Sequence, residues 1–183
     1  MAILNIRIEG QKEAESRLSP KVVKRIRWST INEGGRAGRT YISRDVREQL
    51  PAPAWAVKQA VDLTRSGAND DRGFAEVTVK RKPIPLKYFA PRQTKAGVSV
   101  LVRRDQGRRV VQGSFGPRIS NLQGRIVKRT GKDPFPIKDL YGQTAASVAA
   151  NSPGLLQRVG KRIADTLRSR YISKLGYWLS QPG

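Results

Sequence analysis

The clearest hydrophobic pattern in the chain predicts a long C-terminal helix over residues 155–179. Apolar residues recur there every three or four positions, which places them on one face of a helix. Arg158, Lys161 and Lys174 lie mostly off that face. The predicted apolar stripe consists of Leu156, Val159, Ile163, Leu167, Tyr171, Leu175 and Trp178. We therefore expect this helix to pack on its neighbours along that stripe.

A second stretch with helical spacing covers residues 19–50. Ser19 is a favourable N-cap and Pro20 is a favourable first helical residue, while Pro51 disfavours helix in the residue before it. The apolar positions are Val22, Val23, Ile26, Ile31, Ile42, Val46 and Leu50. The pattern predicts a long N-terminal helix that ends near Leu50.

Three glycines, Gly34, Gly35 and Gly38, interrupt this stretch. Each destabilises a helix by about 1 kcal/mol relative to alanine. They mark either a break between two helices or one helix whose glycine face allows close approach of another backbone. Because Gly35 and Gly38 share a stripe with Ile31 and Ile42, we favour a single helix.

The segment between the two long helices predicts shorter elements. Residues 54–64 have the spacing of a short helix, and the polar residues 66–73 indicate a turn. Residues 74–80 (FAEVTVK) alternate and predict the first strand of a sheet. Prolines in residues 83–86 restrict that segment to a sheet edge or a crossing loop.

Three further runs, residues 98–102, 109–115 and 125–128, alternate or are β-branched and are bounded by turn residues. Such runs are typical of antiparallel strands. Residues 104–108 join the first two runs as a hairpin, since Gly107 tolerates the positive φ of a tight loop. Residues 134–137 are predicted to be an extended connector.

These elements together predict the α+β class, with an antiparallel sheet of about four strands packed with a long N-terminal and a long C-terminal helix. We expect one domain over residues 1–183. Its parts are a helical segment (1–66), a β-sheet core (74–130), and a connector with the last helix (134–183).

Composition excludes several kinds of chemistry. The 183 residues include no cysteine and no histidine. Disulfides, Cys/His zinc sites, cysteine nucleophiles and histidine-based proton relays are therefore excluded. The first residues, MAILNIRIEG, are not expected to form a signal peptide, and no apolar run approaches the roughly 20 residues of a membrane span. We therefore expect no membrane association.

Enzyme signals are weak. The segment RTGK (residues 129–132) lacks the full spacing of a phosphate-binding loop, because Asp133 follows the lysine. A metal-dependent nuclease needs several carboxylates around its cations. The candidates, which would have to meet in space, are Asp45, Asp70, Asp71 and Asp133. We expect no catalytic residue, no cofactor and no bound metal.

The charge balance points to an anionic partner. Lys and Arg number 36 against 14 Asp and Glu, a formal charge of +22, whereas about 2–8 charges suffice for solubility. Any single cation is best interpreted as a solvated surface residue, but the excess is not. The residues predicted to contact DNA or an acidic protein are Arg81, Lys82, Arg103, Arg104, Arg108, Arg109, Lys128, Arg129 and Lys132. No base-reading motif is present, so a nucleic-acid contact would be blind to sequence.

Five short segments, in order, resemble the body of the phage minor tail protein Z family, the tail-completion proteins of long-tailed phages. The segments are IPLKYF (84–89), GVSV (97–100), GSF (113–115), VKRTG (127–131) and PIKDLYG (136–142). The helix around Ile31 and Asn32, with Arg39 and Arg44, and the following Leu50-Pro51-Ala52 are also similar to that family. The glycine cluster is a departure from it. The resemblance covers roughly residues 20–150 and carries over no catalytic residue.

The resemblance implies a structural role in the virion, at the head-proximal end of the tail. Expected partners are the tail tube, the head–tail connector, other copies in a ring of six, and genomic DNA through nonspecific contacts. The protein would be assembled in the host cytoplasm. The predicted ring or partner interface consists of Gly34, Gly35, Gly38, Ile84, Leu86, Tyr88 and Phe89. Two alternatives remain: a sequence-nonspecific nucleic-acid-binding protein of the ribosome or nucleoid, and an enzyme acting on DNA.

Overall fold

The computed structural model describes residues 11–65, 67 and 73–181. The helices in these residues are α1 (Gln11–Ser16), α2 (Pro20–Gln49), α3 (Ala54–Ala60), α4 (Ala145–Ala150) and α5 (Leu155–Leu179). The strands are β1 (Val61–Arg65), β2 (Ala75–Val79), β3 (Pro83–Pro85), β4 (Arg92–Thr94), β5 (Gly97–Val100), β6 (Arg109–Gln112), β7 (Ser114–Phe115), β8 (Val127–Arg129), β9 (Ile137–Asp139) and β10 (Tyr141–Thr144). The predicted α+β class, with a long helix near each end, is confirmed.

The chain folds into two compact units, each built from separate stretches of sequence. The first unit takes the described residues up to Ile42, those of Asp62–Thr78 and those from Pro153 onward. The second unit consists of Ser43–Val61 and Val79–Ser152. Helix α2 therefore contributes to both units. The predicted parts 1–66, 74–130 and 134–183 follow the chain and do not coincide with these units.

The strands form four small sheets rather than the one sheet of about four strands that we expected. The sheets are β1-β2, β3-β10, β4-β5-β6 and β7-β8-β9. Gly113, with a φ of 69°, separates β6 from β7, so that one predicted run is divided between two sheets. Strand β3 pairs only with β10, which confirms the edge position that its prolines require.

The predicted hairpin between the first two runs is confirmed. Strands β5 and β6 are antiparallel, with Gly97 opposite Gln112 and Val100 opposite Arg109. The connecting loop contains Gly107, but its φ is not positive, so the expected positive φ at this residue is wrong. Val98 and Val100 are fully buried, which explains why β5 is the central strand of its sheet.

The helix predicted over residues 54–64 is wrong beyond Ala60. Val61 has extended backbone angles (φ −109°, ψ 102°), and the chain continues as β1, which pairs with β2. The Lys80 amide donates a 2.7 Å hydrogen bond to the Ala60 carbonyl, which adds to this pairing. Strand pairing thus overrides helical spacing in a segment where Val61 and Thr64 are β-branched. Strand β2 belongs to this small sheet and not to the others.

Helix α2 continues through its three glycines, so the preferred single-helix interpretation is confirmed. Gly34, Gly35 and Gly38 are buried. A Cβ at Gly34 would lie 2.4 Å from Leu167 Cδ2, and one at Gly38 would lie 2.9 Å from Ile163 Cδ1. The glycine face therefore lets side chains of α5 approach within the first unit.

Two glycine substitutions test this close packing. A Cβ at Gly35 would lie 2.6 Å from Ala75 Cβ and 2.9 Å from Leu63 Cδ1, so Gly35→Ala should lower the free energy of unfolding by about 1–2 kcal/mol through overpacking. A Cβ at Gly160 in α5 meets nothing within 4 Å. Gly160→Ala is the matched control and should raise the free energy of unfolding by about 0.5–1 kcal/mol. Urea unfolding measures both, and a gain in stability for Gly35→Ala would contradict the packing.

Helix α5 begins and ends where predicted, but its first turn is oriented differently. Leu156 is 67% exposed, while Leu155 and Val159 are buried. Leu155 and Val159 are four residues apart and therefore share a face. The predicted stripe is thus wrong at Leu156 and is confirmed from Val159 to Tyr171.

The core of the second unit is formed around β3, β5 and β10. Ile84, Leu86 and Phe89 are buried there. The Leu86 amide donates to the Leu140 carbonyl, and a Cβ at Gly142 would lie 2.5 Å from the Phe89 ring. Glycine at 142 is therefore required by the ring that packs on it.

Candidate nucleic-acid interface

The excess of cations is concentrated in one part of the second unit. Residues 79–152 contain 16 Lys and Arg but only 3 Asp and Glu. All nine residues predicted to contact DNA or an acidic partner lie in this segment. Three local groups position them: the link from β2 to β3, the β5–β6 loop, and the β7-β8-β9 sheet.

Arg103 and Arg104, in the β5–β6 loop, are engaged with the end of α2. The Arg103 Nη2 donates to Gln49 Oε1 at 2.8 Å, and its Nε donates to Asp105 at 3.0 Å. The Arg104 amide donates to the Gln49 carbonyl at 2.8 Å, and its Nε donates to the Leu50 carbonyl at 3.2 Å. The last carbonyls of a helix lack intrahelical donors and favour cations. Both arginines thus stabilise the helix terminus.

Arg108 is held by backbone and side-chain acceptors of its own sheet. Its Nε donates to Ser99 Oγ at 3.1 Å, and its Nη2 donates to the carbonyls of Ser99 and Ala90. Arg103, Arg104 and Arg108 of the predicted contact residues are thus hydrogen-bonded within the protein, and Arg104 and Arg108 are exposed as well. Arg109, on β6 opposite Val100, is also exposed.

The β7-β8-β9 sheet brings together cations that are distant in sequence. Its register places Lys128 of β8 directly opposite Lys138 of β9 and opposite Ser114 of β7. Directly opposite residues in antiparallel strands have Cβ atoms about 4.5–5.5 Å apart and side chains on the same face. Both lysines are exposed. This face of the sheet therefore presents two adjacent positive charges.

On the other face of the same strands, each of the two arginines has a partner within the protein. The Arg125 Nε donates to Asp139 Oδ1 at 2.8 Å, and this hydrogen bond lowers the pKa of Asp139. The Arg129 guanidinium lies 5.3 Å from the centroid of the Phe115 ring, in cation–π geometry. Charge is thus neutralised or stacked on one face and left as a lysine pair on the other.

The loop between β8 and β9 is closed by Thr130. Its amide and hydroxyl donate to the Pro136 carbonyl at 3.2 and 3.0 Å. The loop exposes Lys132 and leaves Phe135 73% exposed. We refer to β8, this loop and β9 (residues 127–139) as the β8–β9 hairpin.

Lys138 and Phe135 were not among the predicted contact residues, because residues 134–137 were predicted to be an extended connector. The available signal was the turn-forming segment TGKDP between two short runs, which is typical of a hairpin. The register that pairs the two lysines depends on loop length and is visible only in the fold. Arg81 and Lys82 are exposed in the link from β2 to β3.

The predicted ring interface requires correction. Gly34, Gly35 and Gly38 are covered by side chains of the first unit, and three of the other predicted residues belong to the core of the second unit. Those three are Ile84, Leu86 and Phe89. Apolar motif residues of this kind are core residues and cannot contact another copy while the fold is intact. Tyr88 is half-buried and packs edge-on against Trp55, with ring centroids 5.1 Å apart.

The carboxylates of the described residues show no metal-binding cluster, since no group of three or more Asp, Glu, His or Cys is close enough to hold an ion. Asp45 is buried and Asp133 is exposed. Asp70 and Asp71, which were part of the enzyme hypothesis, lie outside the described residues. In the same described ranges, no helix is long and apolar enough to span a membrane.

Comparison of the chain with protein-family models, with curated proteins and with solved structures finds no match. The family resemblance rests on the five short segments and on the similar residues of α2 and Leu50-Pro51-Ala52. All five segments lie in the second unit, on β3, β5, β7, β8, β9, β10 and the turns beside them.

Proposed function

We propose that this chain is a structural protein of a long-tailed phage virion. It acts at the head-proximal end of the tail, where it docks the tail tube to the head–tail connector and contacts genomic DNA through charge. One observation carries the proposal: the segments that resemble tail-completion proteins assemble into a single compact unit, and the same unit contains most of the excess cations.

The contacts among these segments support a shared structural origin. Pro85 in the first segment is the strand partner of Tyr141 in the last, and the Phe89 ring packs on Gly142. Phe115 in the third segment is opposite Val127 in the fourth. The five segments thus contact one another in one core, as a shared fold requires.

The charge supports an anionic neighbour. A net charge of +22 on 183 residues destabilises an isolated compact state through self-repulsion. Phosphates or acidic protein surfaces offset that repulsion. In the neck of a virion, genomic DNA is such an anionic neighbour. Every copy in a ring around the DNA channel would lie beside it.

Ring formation needs two different exposed surfaces on each copy that are complementary to each other, because ring contacts are heterologous. With the buried motif residues excluded, two exposed aromatic residues of the second unit, Trp55 and Tyr141, are the proposed contacts. Trp55 is 49% exposed and Tyr141 is 52% exposed. Aromatic residues are enriched in protein interfaces because they bury large apolar areas and keep a polar group available.

Phage particles produced without this protein test the proposal. We expect filled heads and tails to accumulate separately, because the joint between them is incomplete. Supplying the wild-type chain, or the surface control Lys161→Gln, should restore joined, infectious particles. Electron microscopy counts the joined particles. If particles that lack the protein join heads to tails and deliver DNA normally, the proposal is wrong.

A sequence-nonspecific nucleic-acid-binding protein is the second candidate function. The uncompensated pair of Lys128 and Lys138 favours it, because lysines bind phosphates regardless of sequence. This function requires tight binding of short duplexes by the free monomer with a steep salt dependence. The tail function instead requires weak duplex binding by the free chain and stable association with virion components. Sedimentation with labelled duplex separates the two.

A further inference from the structure

The β8–β9 hairpin combines two features that other exposed parts of the second unit do not combine. It carries a directly opposed lysine pair, and its loop carries the most exposed large apolar side chain of the described residues, Phe135. Lys132 lies in the same loop. Cations and an exposed aromatic ring in one element are the parts from which single-stranded nucleic-acid sites are built.

The lysine pair is unfavourable for the free protein. Like charges directly opposite in a sheet destabilise the pairing. Within the described part of the chain, neither Lys128 nor Lys138 has a carboxylate oxygen within 4.0 Å. These strands include one acid, Asp139, but its carboxylate accepts hydrogen bonds from Arg125 on the other face of the sheet. A phosphate between the two ammonium groups would replace the repulsion with two charge-assisted contacts.

Phe135 has no role in the core, since 73% of it is exposed. Pro134 and Pro136 flank it and fix their own φ angles, which lowers the conformational entropy lost when the ring is immobilised. A phenylalanine ring offers no hydrogen bond, so its natural ligand is another flat apolar surface. Bases of a duplex are already stacked on one another, and an unpaired base is free to stack on the ring.

We propose that the β8–β9 hairpin is a binding site for single-stranded nucleic acid. Lys128 and Lys138 contact a backbone phosphate, and Phe135 stacks on an unpaired base beside it. The inference rests on the nucleic-acid contact in the proposed function and makes it more specific. A strand with unpaired bases, as at a DNA end, is bound in preference to a continuous duplex.

The test uses the full-length protein and a short fluorescently labelled oligonucleotide, as a single strand and as a duplex of the same sequence. Anisotropy titration should show tighter binding of the single strand. Phe135→Ala should weaken single-strand binding about 5- to 100-fold, as expected for loss of one stacked base, and change duplex binding less than twofold. Ile119→Ala, which truncates another exposed apolar side chain (44% exposed), is the matched control and should change neither.

The lysine pair has its own test. The double variant Lys128→Gln, Lys138→Gln should weaken binding of both ligands. It should also reduce the slope of log Kd against log salt for the single strand by about 0.7, because the one phosphate between the two lysines is no longer neutralised. The control variant Lys95→Gln, Arg118→Gln removes the same charge from exposed residues outside the hairpin. It should change the slope by less than half as much.

In the absence of nucleic acid, the thermal stability of the protein should rise in a variant whose nucleic-acid affinity falls. Lys138→Gln relieves the repulsion and should raise the thermal midpoint of the free protein by about 1–3 °C, although it weakens binding. The proposal is overturned if Phe135→Ala affects both ligands equally or neither, or if the control variants match the hairpin variants. It is also overturned if the hairpin variants lose binding to polyglutamate and retain oligonucleotide binding. None of these outcomes depends on where the protein lies in a virion, so the proposed function is tested separately.

Discussion

Replacing Gly97 with alanine is expected to lower the free energy of unfolding by about 3 kcal/mol or more. A Cβ at this position would lie 2.1 Å from the Val111 carbonyl oxygen and 3.0 Å from its carbon. These are backbone atoms of the neighbouring strand β6, so no side-chain rotation relieves the clash. The φ of Gly97 is 153°, a conformation that residues with a side chain rarely adopt.

The matched control is Gly107→Ala in the loop of the same hairpin. A Cβ at Gly107 meets nothing within 4 Å, so its effect should stay within about 0.5 kcal/mol, the usual range for surface changes. Urea unfolding followed by near-ultraviolet circular dichroism measures both variants. A Gly97→Ala protein as stable as the control would show that β5 and β6 do not pair with the register described here.

This hairpin also shows what the sequence makes predictable. The two runs and Gly107 predict the pairing of β5 with β6, and a sustained helical period predicts α2 and α5 to within one or two residues of their ends. Such long or locally closed elements are specified by neighbours in the chain. The close contact of Gly97 with Val111 is not specified by neighbours in the chain, because it depends on which residue of the partner strand faces Gly97.

The incorrect predictions have the same physical origin. Val61 lies where helical spacing predicts a helix, but the strand partner that β2 offers is not visible in the local pattern. The predicted interface residues Ile84, Leu86 and Phe89 are apolar and therefore serve the core. Lys138 acquires its significance only from the register that places it opposite Lys128. Candidate sites built from tertiary juxtaposition thus require the fold.

A buried carboxylate in the first unit makes the stability of the protein depend on pH. Glu15 of α1 is 9% exposed and accepts hydrogen bonds from Arg27 of α2, at 2.8 Å to Nε, and from the hydroxyl of Tyr171 of α5. Gln11 donates a further bond at 3.1 Å. One acid therefore joins three helices of the unit.

The pKa of Glu15 is lowered in spite of its burial. Burial acts to raise the pKa, but the hydrogen bonds from Arg27, Tyr171 and Gln11 outweigh it and hold the pKa below its usual 4.5. Burial and the hydrogen bond to Glu15 raise the pKa of Tyr171 from 10.0 to about 12. A lowered acid pKa contributes stability above pH 4.5 that is lost as pH falls through the folded value. The raised tyrosine pKa contributes stability below pH 10 that is lost as pH rises to about 12.

Glu15→Gln keeps the shape of the side chain and removes its charge. At pH 7 we expect it to lower the free energy of unfolding by about 2–3 kcal/mol, less than for a fully buried pair because Arg27 is 53% exposed. The difference from the wild type should shrink as pH falls from 4.5 toward 3, where the wild-type carboxyl is itself protonated. Urea unfolding at pH 3, 5 and 7 measures this difference.

Tyr171→Phe removes the other end of the network and separates the two titrations. It should cost about 1–2 kcal/mol at pH 7 through loss of one buried hydrogen bond to a charged acceptor. Its difference from the wild type should persist at pH 5 and shrink between pH 10 and 12, where the wild-type hydroxyl ionises. If Glu15→Gln instead shows a constant difference from pH 7 to pH 3, the pKa of Glu15 is the same in the folded and the unfolded protein. The ion pair with Arg27 would then contribute nothing to holding α1 on the first unit.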